Sequence, residues 1–134
     1  MQDKIKYVRD KLKDGEFTVL PETIAIGKVY KISKGDSLEK NGVENGFLFI
    51  PKGSGIKEHR HINDIEFYTL VCGSLSVCGK KQDLNVCLIG DKHNIDIVDE
   101  DTIIETKKVS KNKIINDSWN CDIKVKSIWL LGGN

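Results

Sequence analysis

This chain has few of the residues that usually announce chemistry. Its 134 residues include three histidines, two prolines, one methionine and four cysteines. The cysteines (Cys72, Cys78, Cys87 and Cys121) form no C-x-x-C pair and no zinc-ribbon spacing. They read as small buried apolar side chains of a reducing compartment, not as a disulfide framework. No apolar run approaches a membrane span, and the opening Met1-Gln-Asp-Lys-Ile-Lys6 lacks the apolar stretch of a signal peptide. The expected location is the cytoplasm, so the glycosylation-like triplet Asn116-Asp-Ser118 carries no weight. Neither charge sign dominates: 21 basic and 20 acidic residues leave a net +1. That balance gives no sign of a nucleic-acid or anionic-membrane partner. Repeats and low-complexity segments are absent, and the length suits one domain over 1–134.

What is present is a succession of short β-type runs separated by turn residues. One amphipathic helix precedes them over Asp3–Lys13, with Ile5, Val8 and Leu12 on one face and Asp14-Gly15 as its stop. Strands are expected at Phe17–Leu20, Glu22–Ile32 and Gly46–Ile50, with breaks at Pro21 and Pro51. The polar stretch Ser33–Gly46 is expected to be a loop with one helical turn near Ser37–Lys40. Further strands are expected at Ile65–Val71, Ser74–Cys78, Leu84–Ile89, Lys92–Val98 and Thr102–Thr106, with a hairpin turn at Gly79–Asp83. Lys107–Ser118 reads as a solvated basic loop, and 119–131, with both tryptophans, as a strand or two. Many short strands plus one terminal helix imply an antiparallel barrel or sandwich with its core over roughly 17–108.

The histidines are not scattered. His59 and His61 stand one residue apart, so on an extended strand both imidazoles point to one side. Glu66 follows on the next strand, which a turn at Ile62-Asn-Asp64 folds back beside them. Two imidazoles and a carboxylate meeting at one point make a divalent transition-metal site. Taken singly, each of these residues is also compatible with an ordinary surface position. The Gly53-Ser-Gly55 turn lacks the spacing and the following helix of a phosphate-binding loop.

The spacing from Gly53 through His59-x-His61 and Glu66 to Gly73 resembles the first signature of the cupin family, with every fixed position filled. The second signature is only partly matched. Gly90 and His93 fit it, whereas Leu88 stands in place of a proline, Gln82 of a glycine and Ile97 of an asparagine. The resemblance implies an all-β fold, a double-stranded β-helix or jelly-roll barrel. It also implies a set of three histidines and one glutamate, in which His93 takes the fourth place. It further implies pairing into homodimers through outer strands. Members with this ligand set include dioxygenases, sugar isomerases, decarboxylases, lyases and proteins of no known activity.

Such a set suits one iron, manganese, nickel, cobalt or zinc ion per chain and leaves positions open for a ligand. The expected function is a small metal-dependent enzyme of isomerase or dioxygenase type acting on a polar, oxygen-rich small molecule. The alternative is a non-catalytic metal or small-molecule binding module. Strand alternation puts Tyr68 and Leu70 on the face of Glu66, and Ile95 and Ile97 on that of His93. Cys72 also falls on the Glu66 face. Tyr68 is a candidate proton or hydrogen-bond donor to a bound ligand, and Glu105, on a neighbouring strand, a candidate base.

Overall fold

A computed structural model describes residues 2–117. The segment 119–131 and Cys121 lie outside the described residues. Helix α1 (Gln2–Lys13) forms where the apolar spacing places it, and buries Val8 completely. Its end is set by hydrogen bonds: the Gly15 amide donates to the Leu12 carbonyl and the Glu16 amide to the Lys11 carbonyl. That Schellman pattern needs a left-handed residue, and Gly15 supplies it with φ of 73°.

The strands are shorter and more numerous than the sequence pattern suggests. The expected Glu22–Ile32 strand is in fact two pieces, β2 (Ala25–Ile26) and β3 (Tyr30–Ser33), preceded by β1 (Thr18–Val19). The break falls where the chain crosses from one sheet to the other. A short helix α2 (Leu38–Asn41) is capped by the Ser37 hydroxyl, which accepts from the Lys40 amide. Next come β4 (Val43–Ile50), β5 (Gly55–His59) and β6 (Asp64–Cys72). A tight hairpin, β7 (Ser76–Val77) and β8 (Lys80–Lys81), turns at Cys78-Gly79 rather than over Gly79–Asp83. The described residues close with β9 (Leu84–Cys87), β10 (His93–Ile95), β11 (Thr102–Ser110) and α3 (Lys111–Asp117). The expected basic loop from Lys107 is therefore strand up to Ser110, then helix. Pairing to neighbours on both sides overrides its polar composition.

All pairings are antiparallel, in a six-stranded sheet β1-β3-β4-β11-β6-β9 and a five-stranded sheet β2-β5-β10-β7-β8. Between them lies the main core. Leu48, Ile50, Tyr68, Cys87 and Ile104 come from the larger sheet and meet Ala25, Ile56, Val77 and Ile95 from the smaller. This is the jelly-roll arrangement. The larger sheet has a second apolar face, where Ile32, Phe47, Val71 and Ile103 pack against Val8 of α1. Helix α1 thus covers the outside of the barrel and leaves the interior to the first core.

Gly73 closes β6 with φ of 97°, and a Cβ there would sit 2.5 Å from the Asp101 carbonyl oxygen and 2.7 Å from the Thr102 Cα. Both neighbours are backbone and cannot swing away. Gly73→Ala is expected to cost about 2–5 kcal/mol, the sum of left-handed strain and overpacking, as measured by urea unfolding. That is a large share of a domain's usual stability.

Candidate metal centre

Three connections bring the three histidines and Glu66 together. His59 ends β5 and stands directly opposite His93, the first residue of β10. His61 lies just beyond β5, and its carbonyl accepts the Gly90 amide at 2.7 Å, which ties the turn before His93 to the first motif. Glu66 reaches the same point from β6 of the other sheet. Its inward direction follows from strand alternation, because Asp64, Glu66 and Tyr68 are all buried. One donor atom from each of His59, His61, Glu66 and His93 lies within 4.8 Å of every other.

The ring nitrogens are sorted into outer and inner sets. Nδ1 of His59 is held by the Lys57 carbonyl at 2.8 Å and Nδ1 of His93 by the Asp91 carbonyl at 3.1 Å. Nδ1 of His61 lies 3.1 Å from Asp64 Oδ1. In His59 and His93, an Nδ1–H directed at a backbone carbonyl leaves the Nε2 lone pair for the interior. Nε2 of His61 and Nε2 of His93 lie 3.3 and 3.6 Å from Glu66 Oε1.

No family model matches this chain, and no curated protein does. Solved structures do. An acetylacetone dioxygenase from Acinetobacter johnsonii aligns at TM-score 0.58 and 18% identity, covering 72% of this chain and 69% of that one. A predicted oxalate decarboxylase from Thermotoga maritima aligns at TM-score 0.58 and 20% identity, over 72% and 95% of the two chains. The cupin domain of Cnp3 from Schizosaccharomyces pombe aligns at TM-score 0.54 and 11% identity, over 75% and 73%. The fold is that of a cupin.

Within this cupin barrel, the buried atoms themselves test whether a metal fits. Nε2 of His61 and Nε2 of His93 are buried with no hydrogen-bond partner, although both lie close to Glu66 Oε1. At 3.3 and 3.6 Å from that oxygen, they make no hydrogen bond to it. Leaving such groups unpaired costs about 1–3 kcal/mol each, which a shared ion would remove. Two donors that each lie about 2.1 Å from one ion are separated by about 3–4 Å, close to the spacing found. The donor set fits a divalent transition ion.

The local charges respond to this crowding. Burial works to raise the Glu66 carboxyl, but His61 and His93, followed by Lys108 and Tyr68, outweigh it and hold Glu66 below the usual carboxylate range. Asp64, and after it Glu66, push the His61 imidazole up to about 9. Burial pulls His59 below its usual value. Tyr68 donates its hydroxyl proton to Glu66 Oε1 at 2.6 Å, and burial, reinforced by Glu66, raises its pKa well above the usual tyrosine value.

Not every expected residue joins the centre. Glu105 does not. On β11 it stands opposite Phe47 and Thr69 on the outer face, ion-paired with Lys4 of α1 at 2.7 Å and Lys34 at 3.1 Å. Glu105 instead anchors the helix on the outside of the barrel. Ile97 is also misplaced: it lies past the end of β10 and is 59% exposed. A bulge between Ile103 and Ile104 shifts the β6–β11 register, and Cys72 packs with the outer cluster instead of beside Glu66. The cysteine opposite Glu66 is Cys87, whose thiol burial pushes up to about 12.

Four residues were missed from the sequence: Asp64, which orients His61, and Lys31, Glu44 and Lys108 at the rim. For Asp64 the signal was its place three residues after His61, at the end of the turn. The other three carried no local signal, because strand pairing alone brings them together. A cavity of about 110 Å³ opens beside His59, His61 and Glu66. Leu20, Ile24, Leu48 and Ile56 give it an apolar floor; Lys31, Glu44 and Lys108 complete its wall.

Proposed function

We propose that His59, His61, Glu66 and His93 hold one divalent transition metal and that the chain is a small metal-dependent enzyme of isomerase or dioxygenase type. Its substrate is a compact, oxygen-bearing molecule seated in the adjoining cavity. The observation that carries this reading is the convergence of two buried, unpartnered imidazole nitrogens on one carboxylate oxygen beside a cavity. A closed structural site would have no such space next to its ligands.

When bound, the ion supplies Lewis acidity toward a carbonyl, carboxylate or enediol oxygen. The chain's own residues set the conditions for it. Lys57 and Asp91 carbonyls fix the tautomers of His59 and His93, and Asp64 orients His61. Tyr68, with its hydroxyl committed to Glu66, positions that carboxylate; release of this hydrogen bond would free it as a donor to substrate. The apolar floor limits water around the reacting atoms. Pairing of two copies belongs to the same reading, because the sheet-edge strand β9 exposes Leu84 and Val86. No helix among the described residues is long and apolar enough to cross a membrane.

The test is to purify untagged protein, measure its metal content, and monitor dioxygen while sugars, keto acids and diketones are supplied. The expected result is about one ion per chain and turnover of one such class. Dioxygen consumption selects the dioxygenase branch, and product formation under argon the isomerase branch. Stoichiometric metal with no turnover of any class would support a binding module instead.

A further inference from the structure

The wall of the cavity is built on one rung of the large sheet. Strand β11 runs between β4 and β6, and Lys108 stands directly opposite Glu44 on one side and Glu66 on the other. Its Nζ is 3.9 Å from Glu44 Oε2 and 4.0 Å from Glu66 Oε2. Lys31, from β3, contacts the same Glu44 oxygen at 3.3 Å. Two ammonium groups therefore share Glu44, and Lys108 leans on Glu66 for the rest of its compensation.

A metal changes that balance. With a divalent ion against Glu66, the ion and that carboxylate together carry one positive charge. Lys31, Lys108 and Glu44 together carry another. Asp64, at His61, cancels one of the two, so the loaded centre keeps a net positive charge. Lys108 then faces the cavity with Glu66 no longer available to neutralise it. The same cavity is lined by the apolar side chains of Leu20, Ile24, Leu48 and Ile56. The cavity is small, about 110 Å³.

Resting on the metal reading above, we propose that the substrate is a small organic monoanion. Its oxyanion end lies between the ion and Lys108, and its short apolar end lies on the leucine and isoleucine floor. Lys108 is the specificity-determining residue, and Glu44 sets how strongly the pocket attracts charge by restraining both lysines. A purely structural Lys108, present only to neutralise two glutamates, would stabilise the sheet without distinguishing an anion from its neutral isostere.

The experiment uses the full chain loaded with cobalt(II), with butyrate and its neutral isostere butyramide as probes, followed by calorimetry and the cobalt visible spectrum. In the wild type butyrate is expected to bind at least tenfold more tightly than butyramide. Lys108→Met is expected to keep its cobalt and to narrow that preference several-fold, the ion alone retaining the remainder. Lys108→Arg is expected to restore most of it, and Glu44→Gln to tighten butyrate several-fold. Equal binding of the two probes by cobalt-loaded wild type would overturn the anion proposal while leaving the metal reading intact. So would an undiminished preference in a cobalt-loaded Lys108→Met protein. Failure of the wild type to hold cobalt would remove the metal reading itself, and the proposal with it. The cobalt spectrum reports an intact site in each variant, so a misfolded protein is recognised directly; the Arg variant and Glu44→Gln then decide the matter.

Discussion

Glu66→Gln is expected to lower divalent-metal affinity by more than about a hundredfold, measured by competition with a chromophoric chelator. Loss of an outer partner of a metal ligand typically costs about 10–100-fold, and Glu66 is itself one of the four converging donors. It is the sole carboxylate among them, and its Oε1 is the atom that both unpartnered imidazole nitrogens approach. Glutamine keeps the shape and the hydrogen bond from Tyr68 but loses the charge that a divalent ion needs. Circular dichroism is expected to stay unchanged, because Glu66 lies among polar groups rather than in the apolar core. Glu105→Gln is the control: it breaks ion pairs to Lys4 and Lys34 on the outer face and is expected to leave metal affinity unchanged. An unaltered affinity in Glu66→Gln would sink the assigned ligand set.

The second large effect is on pH. The His61 imidazole is raised from 6.5 to about 9 by Asp64 first and Glu66 next. A group raised in the folded state stabilises the metal-free protein fully below its unfolded value, and that contribution is lost as pH rises through about 9. A metal requires neutral imidazole and displaces this proton. Apparent affinity should therefore climb about tenfold per pH unit between about 6.5 and 9. The gap in Tm between metal-loaded and metal-free protein should widen over the same window. Calorimetry in buffers of different ionisation enthalpy is expected to find about one proton released per ion at pH 7.5. Asp64→Asn should flatten the slope by lowering the His61 value, and should weaken binding about 10–100-fold through loss of orientation. A slope and a Tm gap independent of pH would contradict the assignment of His61.

How much of this was legible in the chain follows from how far each feature reaches along it. The span Gly53–Gly73 is local. The i, i+2 spacing of His59 and His61 and the short turn before Glu66 keep the three close along the chain, so they could be placed together although His61 lies just past β5 and Glu66 on the other sheet. Helix α1 was readable for the same reason, as Ile5, Val8 and Leu12 recur with the helical period. Errors arose where tertiary contacts decide. Glu105 and Lys108 sit on one strand, three residues apart, and so on opposite faces. Without the register neither face could be assigned, and the polar run from Lys107 did not look like a strand at all. Cys72 was assigned by alternation, which a single bulge reversed.

The sequence by itself therefore determined the all-β class, the terminal helix and the motif that carries His59, His61 and Glu66, because each depends on spacings within one or two turns of chain. The tertiary structure alone decided what surrounds these side chains. It paired His93 with His59, placed Lys108 between Glu44 and Glu66, and sent Glu105 outside to hold α1. Such placements follow from strand register and from which face each sheet turns inward. Both are settled by burying the whole core at once, and no short segment carries that information.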